Sequence, residues 1–289
     1  MSPRALALRH ARGTLRLDTP VVMGVLNVTP DSFSDGGRYL DPARALEHAQ
    51  AMRAEGASII DVGGESTRPG APPVPLEEEL RRVLPIVRAI ARDSAALVSV
   101  DTSHPEVIEQ SLAEGAAMIN DVRALQAPGA LAAAARGSAA ICLMHMKGEP
   151  ATMQQSVQYG SAGVAAEVRE MLAARIAACR AAGIDAERLC VDPGFGFGKL
   201  VHHNLELLKD LDQLGALGRP VLVGLSRKSM LKTLTGRDGN DRLAGSIALA
   251  TVAVLNGAAI VRAHDVAATV DAVRVAAAVR ASAKTNEAR

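Results

Sequence analysis

Short polar clusters recur at the ends of apolar runs along this chain, and that regularity constrains the fold more than any other feature. The clusters begin at Asn27, Gly63, Asp101, Asn120, His145, Asp192 and Ser226, with an eighth at Arg262-Ala263-His264. Each follows a run such as VVMGVL, ASIIDV, ALVSV, AAICLM or PVLVGL. A chain that alternates strands with helices and sets polar residues just past each strand builds one pocket from many loops. A parallel α/β barrel keeps its chemistry at that end of its strands.

The strand-like runs lie near 21–26, 57–62, 97–100, 116–119, 139–144, 188–191, 220–225 and 259–262. Helical stretches fall between them at 41–55, 76–92, 105–114, 163–182, 203–215 and 242–256, with another at 266–282 and a weaker, Ala-rich one at 124–136. Eight strands separated by helices argue for a parallel sheet. The count and the 289-residue length fit a closed (β/α)8 TIM barrel, whose usual size is about 250 residues. A doubly wound open sheet is the alternative, because alternation alone does not show closure. Ahead of the barrel, two short apolar stretches around Arg12-Gly13 suggest a short N-terminal β-hairpin within residues 1–18. No linker divides the chain, so a single domain over 1–289 is expected. Asp41-Pro42 and His104-Pro105-Glu106 read as helix starts, and Gly56, Gly115, Gly183 and Gly257 as helix ends.

Composition removes several functions. The net charge is +1 with Lys and Arg scattered, which leaves no electrostatic footprint for nucleic acid or a membrane surface. Trp is absent and aromatics are scarce, which weakens base stacking further. Cys142, Cys179 and Cys190 have no metal-ligand spacing and suit a reducing compartment. No run approaches the length of a membrane span, and the opening MSPRALALRHARG lacks the apolar core of a signal peptide. The expectation is a soluble, cytoplasmic protein with no nucleic-acid and no membrane partner.

Among the clusters, Asp61-Val62-Gly63-Gly64-Glu65-Ser66-Thr67-Arg68-Pro69-Gly70 combines glycines, hydroxyls and an Arg fork suited to phosphate, although a flexible Gly/Ser loop reads equally well. Asn27 and Asp31 could meet a hard cation such as Mg²⁺. Asp101, Asn120 and Asp192 each follow an apolar run directly. One such residue is commonly a helix cap or turn residue, but three together with Lys228 and Arg262 fit a shared site for a polar heterocycle. The segment Asp192-Pro193-Gly194-Phe195-Gly196-Phe197-Gly198-Lys199 fails as a Walker loop, because no Ser or Thr follows the Lys. A backbone approaching a flat ligand over Phe197 accounts for it, and so does core packing of Phe197. Ser226-Arg227-Lys228-Ser229 and the loop after the last strand occupy the usual phosphate position of such barrels.

Taken together, the strings GVLNVTPDSFSDGG, GASIIDVGGESTRPGA, VSVDTS, INDV, CLMHM, DPGFGFGK, GLSRKS and RAHDV resemble the dihydropteroate synthase family, in order and spacing, from Gly24 to Val266. The resemblance implies a (β/α)8 barrel, a homodimer, and condensation of (7,8-dihydropterin-6-yl)methyl diphosphate with 4-aminobenzoate. By the same resemblance Asp101, Asn120, Asp192 and Lys228 hold the pterin, with Met144, Gly196 and Phe197 shaping its slot. Asn27, Arg68, Arg262 and His264 take the diphosphate, with Mg²⁺ at Asn27. Phe33, Thr67, Arg68, Pro69 and Ser226 frame the aminobenzoate, and Asp101, Lys228 and Arg262 are the candidate catalytic residues. Two departures stand beside the motifs: His104 where the family commonly has Lys, and Lys147 where it commonly has Gln. The rival readings are a pterin-binding methyltetrahydrofolate–corrinoid methyltransferase and a non-catalytic pterin-binding homologue.

Overall fold

The computed structural model describes residues 6–28, 42–65, 74–93, 96–148, 153 and 157–286. Strands β1 (Ala7–His10) and β2 (Gly13–Arg16) pair antiparallel as the expected hairpin. Eight parallel strands follow: β3 (Val21–Asn27), β4 (Ile59–Gly63), β5 (Leu97–Asp101), β6 (Met118–Asp121), β7 (Ala140–Met144), β8 (Leu189–Asp192), β9 (Leu222–Gly224) and β10 (Ile260–Ala263). Their spatial order is β8-β7-β6-β5-β4-β3-β10-β9. The two ends of this row meet through a parallel bridge between Val191 and Val221, where the Val191 N–H donates to the Pro220 carbonyl at 2.9 Å. The sheet is therefore a closed barrel, and the open doubly wound alternative is set aside.

The helices are α1 (Pro42–Ala54), α2 (Leu76–Asp93), α3 (Pro105–Ala113), α4 (Ala130–Arg136), α5 (Val164–Ala181), α6 (Val201–Lys209), α7 (Met230–Thr235), α8 (Leu243–Leu255) and α9 (Val266–Asn286). Four of them stop by one device. Gly56, Gly115, Gly183 and Gly257 all take positive φ, between 86° and 107°. At each, the glycine N–H bonds back three residues and the next N–H bonds back five, as in Gly56 to Arg53 and Ala57 to Met52. That Schellman geometry requires a left-handed residue, which glycine adopts without a Cβ penalty.

Two connections depart from expectation. The stretch 124–136 is helical only from Ala130, because Ala124 and Leu125 take φ of 51° and 57° and Gly129 takes 85°. Asp121 holds that turn, accepting from the Arg123 and Leu125 N–H groups at 2.8 Å each. The helix expected over 203–215 ends at Lys209 and continues as a 3₁₀ segment, Leu211–Leu217, which Gly218 closes at φ 63°. Helix α7 escaped the periodicity because six residues are too few to show one.

Strand alternation decides what faces the barrel axis. In β3 the odd positions Met23, Val25 and Asn27 face inward, and Val22, Leu26 and Val28 pack against the helices. The inward rows begin apolar and end polar: Ile59 then Asp61, Met118 then Asn120, Cys190 then Asp192, Ile260 then Arg262. Leu8 and Leu17 of the hairpin region join Met23, Ile59, Met118, Cys142, Cys190 and Ile260 in one buried cluster, so the hairpin plugs the N-terminal mouth. The opposite mouth stays open for the site.

Candidate active site

One strand register places three of the expected residues in a row, with Gly63 between the first two. Asn27 pairs with Gly63, Gly63 with Asp101, and Asp101 with Asn120. Gly63 lies between Asn27 and Asp101, and a Cβ there would make only ordinary contact, 3.6 Å from Asp101 Cβ and 3.7 Å from Asn27 Oδ1. Asp192 ends β8 and Arg262 lies on β10, on the same inward phase.

These residues enclose a cavity of about 560 Å³ at the C-terminal mouth. Asp101, Asn120, Met144, Asp192, Gly196 and Phe197 line it, together with Asn27, Ser226, Lys228, Arg262 and His264. Sequence reasoning thus named eleven residues that meet at one place. Phe33, Thr67, Arg68 and Pro69 lie outside the described residues.

At the cavity floor, Arg262 Nε donates to Asp61 Oδ2 at 2.6 Å and Nη2 donates to Asp101 Oδ2 at 2.9 Å. Asn120 Nδ2 donates to the same Asp61 oxygen at 3.1 Å. Asp61, fully buried, was missed as a site residue. Its signal was a lone acid inside the apolar run ASIIDV, a position that only a paired carboxylate can occupy. Burial opposes the charge of Arg262, but Asp61 and Asp101 outweigh it and hold the guanidinium firmly protonated. Burial pushes the Asp101 carboxyl up to about 7, against the pull of Arg262 and with a further push from Asp61. Asp192 is likewise raised by burial, offset by the Gly194 N–H donating to its Oδ1 at 2.7 Å and by Lys228. Burial lowers Lys228 to about 8. Its Nζ stands 4.2 Å from the centre of the Phe197 ring, so the ring carries a cation on one face.

The segment after β8 is held by two residues that sequence reasoning did not assign. Gly194, Gly196 and Gly198 all take positive φ, and at Gly194 a Cβ would overlap the His145 carbonyl. Lys199 reaches back beneath this loop. Its Nζ donates to the Gly194 carbonyl at 2.9 Å and the Phe197 carbonyl at 3.2 Å, and contacts His145 Nδ1 at 2.9 Å. Burial lowers His145 to about 3, leaving it a neutral acceptor for that amine, and lowers Lys199 to about 7. Asn204 of α6 accepts from the Gly196 N–H at 2.8 Å and donates to the Lys199 and Leu200 carbonyls. The cavity-lining backbone from Gly194 to Phe197 is thereby fixed from behind.

At the rim, His264 Nδ1 lies 3.1 Å from Ser226 Oγ, and the His264 N–H donates to the same oxygen at 3.2 Å. Arg227 forms a two-pronged pair with Asp265 at 2.6 and 3.1 Å. These contacts tie the loop after β9 to the end of β10. The result is a slot with acids and an amide at its floor, an aromatic wall and cations around it, suited to a flat nitrogen heterocycle bearing an anionic tail.

Known proteins agree with this geometry. The pterin binding enzyme family matches residues 23–264. The chain is 52% identical to the dihydropteroate synthase of Escherichia coli over 278 residues, covering 96% of this chain and 98% of that one. Among solved structures, Xanthomonas albilineans dihydropteroate synthase with 4-aminobenzoic acid superposes with a TM-score of 0.89 at 49% identity, over 96% of this chain and 99% of that one. Burkholderia cenocepacia dihydropteroate synthase complexed with 7,8-dihydropteroate gives a TM-score of 0.87 at 49% identity, over 97% and 99%. The chain belongs to the dihydropteroate synthase family of pterin binding enzymes.

Proposed function

We propose that this chain condenses (7,8-dihydropterin-6-yl)methyl diphosphate with 4-aminobenzoate, giving 7,8-dihydropteroate and pyrophosphate for folate biosynthesis. The observation that carries the reading is the convergence of Asp101, Asn120, Asp192, Lys228 and Arg262 on one cavity. Asp192, with one oxygen on the Gly194 N–H, offers the other to the paired N–H donors of an aminopyrimidine edge, and Asn120 both donates and accepts there. Phe197 and Met144 close on the ring faces.

Mg²⁺ fits the mouth by the chemistry of its donors. Asn27 presents a neutral carboxamide oxygen beside Gly63, and Mg²⁺ takes few protein oxygens while keeping waters and diphosphate oxygens. When bound, it neutralises charge on the leaving pyrophosphate. Arg262 and His264 supply the protein's share of that stabilisation, and Arg68 is assigned to it from its motif. The bond between the methylene carbon and the diphosphate oxygen breaks first, in an SN1-like step. The electron-rich dihydropterin spreads the resulting positive charge, and ionised Asp101 stabilises it electrostatically. The neutral aniline nitrogen of aminobenzoate then attacks, requiring positioning more than a base. Thr67, Arg68, Pro69, Ser226 and Phe33 are assigned to that second substrate.

A homodimer is part of the reading. Helices α8 and α9 pack against each other and expose Leu243, Val252, Leu255, Val275 and Val279, at 40–63% relative accessibility. That apolar face supports burial against a second copy. No helix among the described residues is long and apolar enough to cross a membrane. The three cysteines are free and buried, which supports a cytoplasmic setting.

The deciding assay mixes the pterin diphosphate, 4-aminobenzoate and Mg²⁺ with the purified chain and follows pyrophosphate release. Its absence would remove the reading in favour of a non-catalytic pterin binder. Positional isotope exchange within the diphosphate substrate, without aminobenzoate, tests the cation: C–O cleavage that always awaits the amine counts against it.

A further inference from the structure

Glu65, Glu79 and His104 stand on consecutive strand–helix connections: two residues past β4, in the first turn of α2, and just before α3. Each offers one ligand atom, and these atoms all lie within 4.8 Å of one another. Glu79 is the informative member. Its side chain is 1% exposed, its Oε2 lies 2.5 Å from His104 Nδ1, and its Oε1 is buried with no hydrogen-bond partner among the described residues. Its one ion-pair partner among those residues is His104. A carboxylate oxygen in that position is costly to bury without a donor or a cation. Gly64 makes the approach possible, since a Cβ there would come within 3.0 Å of Glu79 Cγ and 2.7 Å of Val83 Cγ2. Glu65 Oε1 accepts a long bond, 3.4 Å, from the Val74 N–H.

We propose that Glu65, Glu79 and His104 form a second divalent-metal site, for Zn²⁺ or a cation of like chemistry, on the outer wall of the pterin pocket. Two carboxylates and one imidazole suit a borderline first-row ion, whereas Mg²⁺ prefers oxygen alone. The His104 side chain is 40% exposed, which leaves a side of the site open to water ligands. Glu65 also lines the cavity, so the ion ties the end of β4 to α2 and to the start of α3.

The full chain, stripped with chelator and freed of it, is titrated with Co²⁺ by visible absorbance and with Zn²⁺ by calorimetry. The expected result is one Co²⁺ per chain with a d–d band, displaced by one equivalent of Zn²⁺ but not by excess Mg²⁺. H104K, which replaces the imidazole with an ammonium that pairs with Glu79 but does not ligate a metal, should lose the band and bind Zn²⁺ on the order of 10-fold or more weakly. Glu79→Gln should reproduce that loss. No stoichiometric Co²⁺ binding, or equal Zn²⁺ affinity in wild type and H104K, overturns the proposal. Pyrophosphate release by the same samples in Mg²⁺ is scored separately, so failure of the enzyme reading and failure of the metal site are distinguishable.

Discussion

Arg262 Nε donates to Asp61 Oδ2 at 2.6 Å across 201 residues of chain, which locks β10 to β4 at the floor of the pocket. Asn120 shares that oxygen and Asp101 takes the other arm of the guanidinium, so one cation compensates two buried acids. Arg262→Met removes it and leaves both carboxylates in a nearly dry site. Breaking a buried pair from one side costs about 3–5 kcal/mol. Urea denaturation should show a loss of that order together with lost turnover. A variant as stable as wild type would show that pairing with Arg262 does not hold these carboxylates in the folded chain.

Asp101 stabilises a developing cation only when ionised, and burial places its carboxyl at about 7. Turnover should therefore fall as pH drops through about 7, because the neutral acid has no charge to offer. Asp101→Asn should lose about 100-fold or more in kcat and should also lose that acid limb. A profile flat from pH 8 to roughly pH 5.5 in the wild type would refute the role.

In the proposed function Asp192 accepts from the pterin edge. Asp192→Ala should abolish pterin binding in calorimetry with a pterin analogue, whereas Arg68→Ala should spare binding and impair turnover. Unchanged affinity in the Asp192 variant would overturn the assignment.

Lys199 is lowered by burial from 10.5 to about 7, so the folded chain gives up a proton that the unfolded chain keeps between those values. Stability carried by this group therefore rises with pH across that window, and below about 7 both states are protonated and it contributes no slope. Against Lys199→Met, the wild type should gain roughly 1–2 kcal/mol between pH 7 and pH 9. The variant should also bind pterin more weakly, because the Gly194 and Phe197 carbonyls lose their donor. Parallel pH dependence in the two proteins would contradict the buried-amine account.

Gly194 holds φ at 69° with its Cα against the His145 carbonyl. Gly194→Ala should cost about 2–4 kcal/mol, from backbone strain and overpacking together, and should weaken pterin binding. Gly218→Ala has a similar φ of 63° but no heavy atom within 4 Å of the new Cβ, so it should cost only the strain. Equal losses at the two positions would show that close approach to His145 is not what selects glycine.

The sequence by itself determined the alternation of strands and helices, the hairpin ahead of them, the glycine stops and the polar residue ending each strand. Those are local properties, written in periodicity and turn chemistry. Eleven of the cavity-lining residues were legible because they sit in or beside the polar clusters that end the apolar runs, and because those clusters together resemble one family. Only the tertiary structure decided that the barrel closes between Val191 and Val221, because closure depends on strands far apart in the chain. It alone decided which phase of each strand faces inward, since a one-residue slip would turn Asp101 and Asn120 toward the helices. Asp61, Lys199 and Asn204 stayed hidden because their partners, Arg262, His145 and the Gly196 N–H, lie on other elements. A charge inside an apolar run signals that a partner must exist, but the partner's identity is a fact of packing.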